Sequence, residues 1–180
     1  PGTEVSLTVW REKEAKLLTF KIKRATIEIR DIKEARMLEQ GIAYIKLVEF
    51  SEETPRHFDQ ALADLKSKGM NALILDLRNN PGGLLDQAVE VTERFVPKGE
   101  IIVSIKGRDP SQDEVFTSRS SSPYKDIPMV VLINDGSASG SEILAGCLKD
   151  HKRAILVGFR TFGKGSVQTV LPLRDGSALK

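Results

Sequence analysis

The chain has 180 residues, and 27 lysines and arginines against 25 aspartates and glutamates leave a formal charge of +2, which argues against a nucleic-acid partner. With 40% apolar and 29% charged residues it is composed as a globular protein, long enough for one sizeable core or two small ones. No apolar run approaches the roughly 18 residues of a membrane-spanning helix, Cys147 alone excludes an intrachain disulfide and a cysteine-rich zinc site, and His57 and His151 have no metal-ligand spacing, so neither metal nor cofactor is expected.

Pro1 opens the chain without a start methionine or a signal-like segment, so a trimmed chain is expected. Val5, Leu7 and Val9, then Leu18, Phe20 and Ile22, alternate on either side of the charged turn Arg11–Glu14, which predicts a β-hairpin. Ala25 to Ile29 reads as a further short strand. The charged stretch from Arg30 to Arg36 reads as a linker, placing a boundary near residue 31.

Ile42 to Val48 is strand-like, and Thr54-Pro55 opens a segment whose Phe58, Ala61, Leu62 and Leu65 recur at helical spacing until Gly69. Ala72 to Leu77 reads as a buried parallel strand, turned by Asn79-Asn80-Pro81-Gly82-Gly83 into a helix carrying Leu85, Ala88, Val89, Thr92 and Phe95. Ile101 to Ile105 is a predicted strand, Gly107 to Tyr124 a loop or excursion, Met129 to Ile133 a buried strand, and about Ser141 to Asp150 a helix. Ile155 to Val157 and Val167 to Leu171 complete the pattern as strands flanking a glycine-rich loop. Such alternation predicts an α/β core with a largely parallel sheet.

Three stretches carry candidate chemistry. In Asp76 to Gly83 a strand runs through a glycine turn into a helix, so unpaired backbone N–H groups face the strand's carboxyl end. Gly82 and Gly83 there suit a bound phosphate or a developing oxyanion, or simply a tight turn. Asn134 to Glu142 sets Ser137, Ser139 and Ser141 at a second strand-to-helix junction, where one is a candidate nucleophile and where Ser139 or Ser141 with Glu142 would equally serve as a helix cap.

The G-x-S-x-G elbow is absent, and His57 at a helix start and His151 at a helix end are poorly placed as partners, which argues against a conventional triad. Lys164, in Phe162-Gly163-Lys164-Gly165, is the other candidate base: a desolvated amine there would be neutral and able to take a proton, with Gln168 holding it, whereas a solvated loop lysine would do neither. The segment from Gly158 to Gly165 is a near miss to a phosphate-binding loop. It has Gly165 where a magnesium-binding hydroxyl is required and leads toward a strand, which argues against nucleotide binding.

Taken together these stretches resemble the C-terminal processing, or tail-specific, proteases, serine peptidases with a Ser/Lys dyad. Asp76 to Gly83 is similar to the family's D-L-R-x-N-x-G-G turn, Gly136 to Ile143 to its nucleophile segment, and Gly158 to Gln168 to its G-x-x-T-F-G-K-G-x-V-Q segment; Gly140 stands where the family usually has alanine. The resemblance implies Ser139 as nucleophile, Lys164 as general base in an apolar pocket against Phe162, Gln168 orienting it, and oxyanion donors from Gly82 or Gly83 and from Gly140.

It further implies a crotonase-like protease core over 31–180 with a mixed, largely parallel sheet and flanking helices, preceded over 1–30 by the last strands of a truncated PDZ domain, with family segments missing beyond Lys180. Expected partners are protein or peptide substrates with unstructured C-termini, with no nucleic acid and no membrane-spanning segment. The expected site of action lies outside the cytoplasm, in a bacterial periplasm or cell envelope or in a plastid lumen. The competing expectations are an inactive peptide-binding fragment and a crotonase-like acyl-CoA enzyme, since glycine turns that hold an oxyanion also suit thioester chemistry.

Overall fold

The computed structural model describes residues 1–26, 30–168 and 170–179, and the chain divides into two compact units, Pro1–Arg30 and Asp31–Lys180. In the first unit β1 (Glu4–Arg11) and β2 (Lys16–Lys23) form the predicted antiparallel hairpin, with Leu7 opposite Phe20 and Val9 opposite Leu18. A two-stranded ribbon supplies no second layer, so Leu7, Val9, Trp10, Leu17, Phe20 and Ile22 all remain exposed. Of the strand expected from Ala25 to Ile29, residues 27–29 lie outside the described residues, and Ala25 and Thr26 are not in a strand.

The second unit is built on a five-stranded sheet of β3 (Ile32–Met37), β4 (Ile42–Leu47), β5 (Ala72–Asp76), β8 (Met129–Ile133) and β9 (Ile155–Gly158), in that spatial order. Strand β3 is antiparallel to β4, and the other three pairings are parallel. The α/β expectation with a mixed, largely parallel sheet therefore holds. The Arg30–Arg36 stretch, however, is mostly strand rather than linker. An edge strand needs only one ladder, and its charges sit on the open side or across the pair, where Glu34 faces Lys46 and the Arg36 guanidinium lies 5.5 Å from the Tyr44 ring centroid.

Helices α1 (Thr54–Ser67), α2 (Leu85–Glu93) and α3 (Gly140–Asp150) connect consecutive parallel strands. Pro55 sits in the first turn of α1, where its missing N–H costs nothing, and Gly69 at φ 89 follows the helix end. Phe58, Leu62 and Leu65 of α1, Ala88 and Val91 of α2, and Leu144 and Leu148 of α3 close over Ala43, Ile45, Leu47, Leu73, Leu75 and Val131 of the sheet. The alternate residues Tyr44, Lys46, Ile74, Val130 and Leu132 are only half-buried, so the central strands bury one face fully instead of both.

Between α2 and β8 the chain makes a separate ribbon, β6 (Ile101–Ile105) with β7 (Glu114–Thr117). The stretch from Gly107 to Tyr124, expected as a loop or excursion, is an excursion that contains a strand. Its polar composition reflects an exposed two-stranded ribbon, a setting that asks little burial of its residues. The expected strand from Val167 to Leu171 is also corrected. Val167, Gln168 and Val170 join no ladder, Thr169 lies outside the described residues, and only β10 (Leu171–Pro172) pairs, with β11 (Ala178–Leu179). Val167 and Val170 are exposed, since apolar β-formers become a strand only when a partner edge is in reach.

Leu75, fully buried at the centre of the sheet, should test this core: Leu75→Ala is expected to cost about 2–5 kcal/mol, read as a lower midpoint of urea unfolding at unchanged slope.

Candidate active site

Two chain turns meet at the carboxyl ends of the neighbouring strands β5 and β8. The first leaves β5 through Asp76, whose carboxylate is fully buried. It accepts from Arg78 N (2.9 Å), Nε (2.9 Å) and Nη2 (2.7 Å), from Tyr44 Oη (2.7 Å) and from Lys46 Nζ (3.2 Å). Burial alone would push this carboxyl up, but the donors, Arg78 foremost, outweigh it and hold it well below the usual carboxylate range. The ion cluster thus fixes the exit of β5 and the start of the turn.

Asn79, at φ 61, clasps the second turn: its N–H donates to Asn134 Oδ1 (2.8 Å), and Asn134 Nδ2 donates to Asn79 Oδ1 (2.9 Å). Gly82 then passes so close that a Cβ on it would lie 2.6 Å from the Ala138 carbonyl oxygen and 2.8 Å from Ser139 Cβ. Only glycine fits, at φ 98 and with that clearance. A Cβ on Gly83, at φ 149, would overlap the Phe50 carbonyl.

The second turn leaves β8 and enters α3. Ser137 Oγ donates to the Leu77 carbonyl (2.8 Å) and Ser141 Oγ to the Asn80 carbonyl (3.0 Å), and both side chains are fully buried, so these two serines join the turns together. Ser139 is the partly exposed one of the three. It caps α3, and its N–H donates to Glu142 Oε2 (2.9 Å), which satisfies the helix-cap expectation. An ordinary cap residue has extended backbone, however, whereas Ser139 is at φ 53, ψ −113. For a side-chain-bearing residue such a conformation costs about 1–3 kcal/mol and is held by its surroundings.

The backbone donors around Ser139 divide clearly. Gly82 N–H is engaged by Asn80 Oδ1 (2.9 Å), while among the described residues the N–H groups of Gly83 and Gly140 have no hydrogen-bond acceptor. Gly140 opens α3, where such a vacancy is inherent in the helix, and Gly83 is exposed.

The glycine-rich loop comes to the same place through its backbone. Phe162 N–H donates to the Ser137 carbonyl (3.0 Å), and Gly163 and Lys164 N–H donate to Glu142 Oε1 (2.7 Å) and Oε2 (2.9 Å). The side chains depart from expectation. Lys164 and Gln168 are exposed, Phe162 is 70% exposed, and no hydrogen bond among the described residues joins Lys164 to Ser139 or to Gln168. Among the described residues no apolar pocket forms around Lys164: main-chain bonds and the Thr161 side chain tie the loop to the serine turn and Glu142, and Phe162 is itself exposed.

The histidines serve elsewhere: His57 Nδ1 lies 2.9 Å from buried Asp31, and His151 Nε2 lies 2.8 Å from the Ile101 carbonyl. Among the described residues no group of three His, Cys, Asp or Glu side chains is arranged to hold a metal. Two contributors escaped the sequence reading, Asn80 as the hinge of the glycine turn and Glu142 as the common acceptor of the serine turn and the lysine loop. Glu142 was legible only as a cap residue. A strained serine at a strand-to-helix junction, beside backbone N–H groups without an acceptor among the described residues, is chemically suited to acyl transfer.

The chain belongs to peptidase family S41, whose model matches residues 41–180. It is 44% identical to a carboxy-terminal-processing protease of Bartonella bacilliformis, covering 99% of this chain and 42% of that protein. It is 41% identical to a "Probable CtpA-like serine protease" of Staphylococcus aureus, covering 99% of this chain and 35% of the relative. Its fold superposes on a solved photosystem II D1 C-terminal processing protease with a TM-score of 0.73 at 31% identity, covering 98% of this chain and 49% of that one. The chain thus spans less than half the length of these relatives.

Glu142 gives a direct test. Burial opposes its charge, but hydrogen bonds from Thr161 and from the backbone of Ser139, Gly163 and Lys164 hold its carboxyl below the ordinary glutamate value. Glu142→Ala is expected to speed amide exchange at Ser139, Gly163 and Lys164 by about tenfold or more, since charge-assisted bonds contribute about 1.5–3 kcal/mol each. In the unaltered chain the same protection should be full above the unfolded value of about 4.3 and be lost as the pH falls through the lower folded value.

Proposed function

We propose that the natural full-length polypeptide is a serine endopeptidase that cuts protein substrates near their C-termini, with Ser139 as nucleophile and Lys164 as general base. The observation that carries this reading is the Ser139 backbone, held at φ 53 beside the vacant N–H groups of Gly83 and Gly140. In the proposed reaction the Lys164 amine takes the Ser139 hydroxyl proton while Ser139 Oγ bonds to the peptide carbonyl carbon. The carbonyl oxygen becomes an anion facing the Gly83 and Gly140 donors. The C–N bond then breaks, the leaving amine takes the proton from Lys164, and water hydrolyses the acyl-enzyme to free Ser139.

This mechanism requires the Lys164 side chain to swing over Ser139, with Gln168 holding the amine there. Anchoring of the Gly163 and Lys164 N–H groups on Glu142, which also holds the Ser139 N–H, supports the idea, because the loop is already tied to the nucleophile's turn. The core is read as crotonase-like because the resemblance to the C-terminal processing proteases implies it, and its parallel strands with a glycine turn at their carboxyl ends are compatible with that reading. The hairpin of Pro1–Lys23 is read as the last strands of a PDZ domain. The likeness to C-terminal processing proteases supports action outside the cytoplasm, in a periplasm, cell envelope or plastid lumen; among the described residues no helix is long and apolar enough to cross a membrane.

The exposure of Lys164 favours a second reading, in which peptides are bound but not cut. Digestion of an unfolded protein with an apolar C-terminus, followed by mass spectrometry, separates the two. Ser139→Ala and Lys164→Ala should each reduce cleavage at least about a thousandfold. Cleavage that survives Ser139→Ala would overturn the nucleophile assignment, and binding without cleavage by the unaltered protein would favour the second reading.

A further inference from the structure

We propose that Asn80 is a positioning residue for acyl transfer: it holds the glycine turn against the nucleophile turn so that the Gly83 N–H, and not that of Gly82, faces the developing oxyanion. The inference rests on Ser139 being the nucleophile, as read above.

Asn80 is fully buried, and both ends of its side-chain amide are hydrogen-bonded. Its Nδ2 donates to the Leu47 carbonyl at the end of β4 (3.1 Å), and its Oδ1 accepts from Gly82 N–H (2.9 Å). Its own N–H donates to the Leu77 carbonyl (3.1 Å), and its carbonyl accepts from Ala138 N–H (3.0 Å) and Ser141 Oγ (3.0 Å). One residue therefore links the end of β4, the exit of β5, the glycine turn and both flanks of Ser139.

The bond to Gly82 has a chemical consequence. An N–H spent on an amide oxygen inside the protein is not offered to substrate, so the turn presents its next N–H, that of exposed Gly83. Phe50 completes the frame: its N–H donates to the Gly82 carbonyl (2.9 Å), and its carbonyl accepts from Leu84 N–H (2.8 Å). The peptide that carries the Gly83 N–H is thereby fixed through its own carbonyl, held by Phe50 N–H, and through its two neighbours, the preceding N–H held by Asn80 and the following one by the Phe50 carbonyl. A Cβ on Gly140 would lie 3.1 Å from the Phe50 ring, which brings the second vacant donor to the same frame. Oxyanion donors act through fixed placement, and displacement of a donor forfeits transition-state stabilisation without weakening ground-state binding.

The amide is required in both its halves. Asn80→Ala removes donor and acceptor together. Asn80→Asp keeps an acceptor for Gly82 but, when ionised, sets a carboxylate oxygen against the Leu47 carbonyl; when protonated it restores the donor and mimics the amide in shape.

The experiment measures kcat and KM of the natural full-length polypeptide on a C-terminal peptide substrate, together with the rate of Ser139 labelling by an alkyl fluorophosphonate. Thermal unfolding follows the fold of each variant. Asn80→Ala and Asn80→Asp are expected to lower kcat and labelling in parallel, by about tenfold to a hundredfold, with KM changed less than about twofold. The activity of Asn80→Asp relative to the unaltered enzyme should recover as the pH is lowered, the signature of a restored donor. Ser141→Ala removes one bond to the Asn80 carbonyl and should lower kcat several-fold, which decides the matter if Asn80→Ala does not fold.

A folded Asn80 variant with unchanged kcat, or a loss confined to KM, overturns the proposal, and so does unchanged kcat in Ser141→Ala when Asn80→Ala cannot be measured. Ser139→Ala run alongside separates the two levels. If it retains activity the nucleophile reading fails, whereas if it is inactive and the Asn80 variants are not impaired only the positioning role fails.

Discussion

The close approach of the glycine turn after β5 to the serine turn after β8 is the constraint from which the rest of the site follows. Adjacent parallel strands deliver their carboxyl ends side by side, and two turns at that spacing fit together only if one gives up its side chains. Gly82 does so: the space its Cβ would need is taken by Ala138, Ser139 and Gly140. The fit is locked by bonds that cross between the turns, from Ser137 to Leu77, from Ser141 and Ala138 to Asn80, and from Asn79 to Asn134 in both directions. Ser139 is held at its positive φ, because Ala138 before it and Ser141 after it are both bonded to Asn80.

Charge supports this geometry from two sides. Behind the glycine turn the Asp76 carboxylate collects Arg78, Tyr44 and Lys46, so the strand end is fixed by a saturated buried anion, which would be costly to leave with any donor removed. On the other flank Glu142 gathers the N–H groups of Ser139, Gly163 and Lys164 on one carboxylate. The carboxylate of the first cluster is enclosed in the fold, whereas the second ties down an exposed loop through two of its N–H groups and the Thr161 side chain. That difference explains why the serine half of the proposed dyad is rigidly framed while the lysine side chain stands in solvent.

Where the sequence misled, the cause was in each instance a partner that periodicity does not reveal. Ile32–Met37 has the charge of a linker but pairs with β4 as an edge strand, and Glu114–Thr117 has the polarity of a loop but pairs with β6. Val167 and Val170 have the side chains of a strand but no ladder to join. The hairpin of Pro1–Lys23 alternates as it should and still leaves its apolar residues exposed, because alternation specifies a face and a second layer must bury it.

The sequence by itself determined the alternation of the central strands and helices and the three stretches that converge on the site, because hydrophobic period, capping residues and glycine turns act over a few neighbours at a time, and those stretches carried the resemblance to the family. It could not say which of Ser137, Ser139 and Ser141 is strained and which are spent on carbonyls, nor that Gly82 N–H is engaged by Asn80 while that of Gly83 has no acceptor among the described residues, nor that Lys164 is exposed. Those outcomes depend on which atoms 30 or 60 residues apart are pressed together, Asn80 against Leu47 or Ser137 against Leu77, and only closure of the sheet brings them within hydrogen-bonding distance.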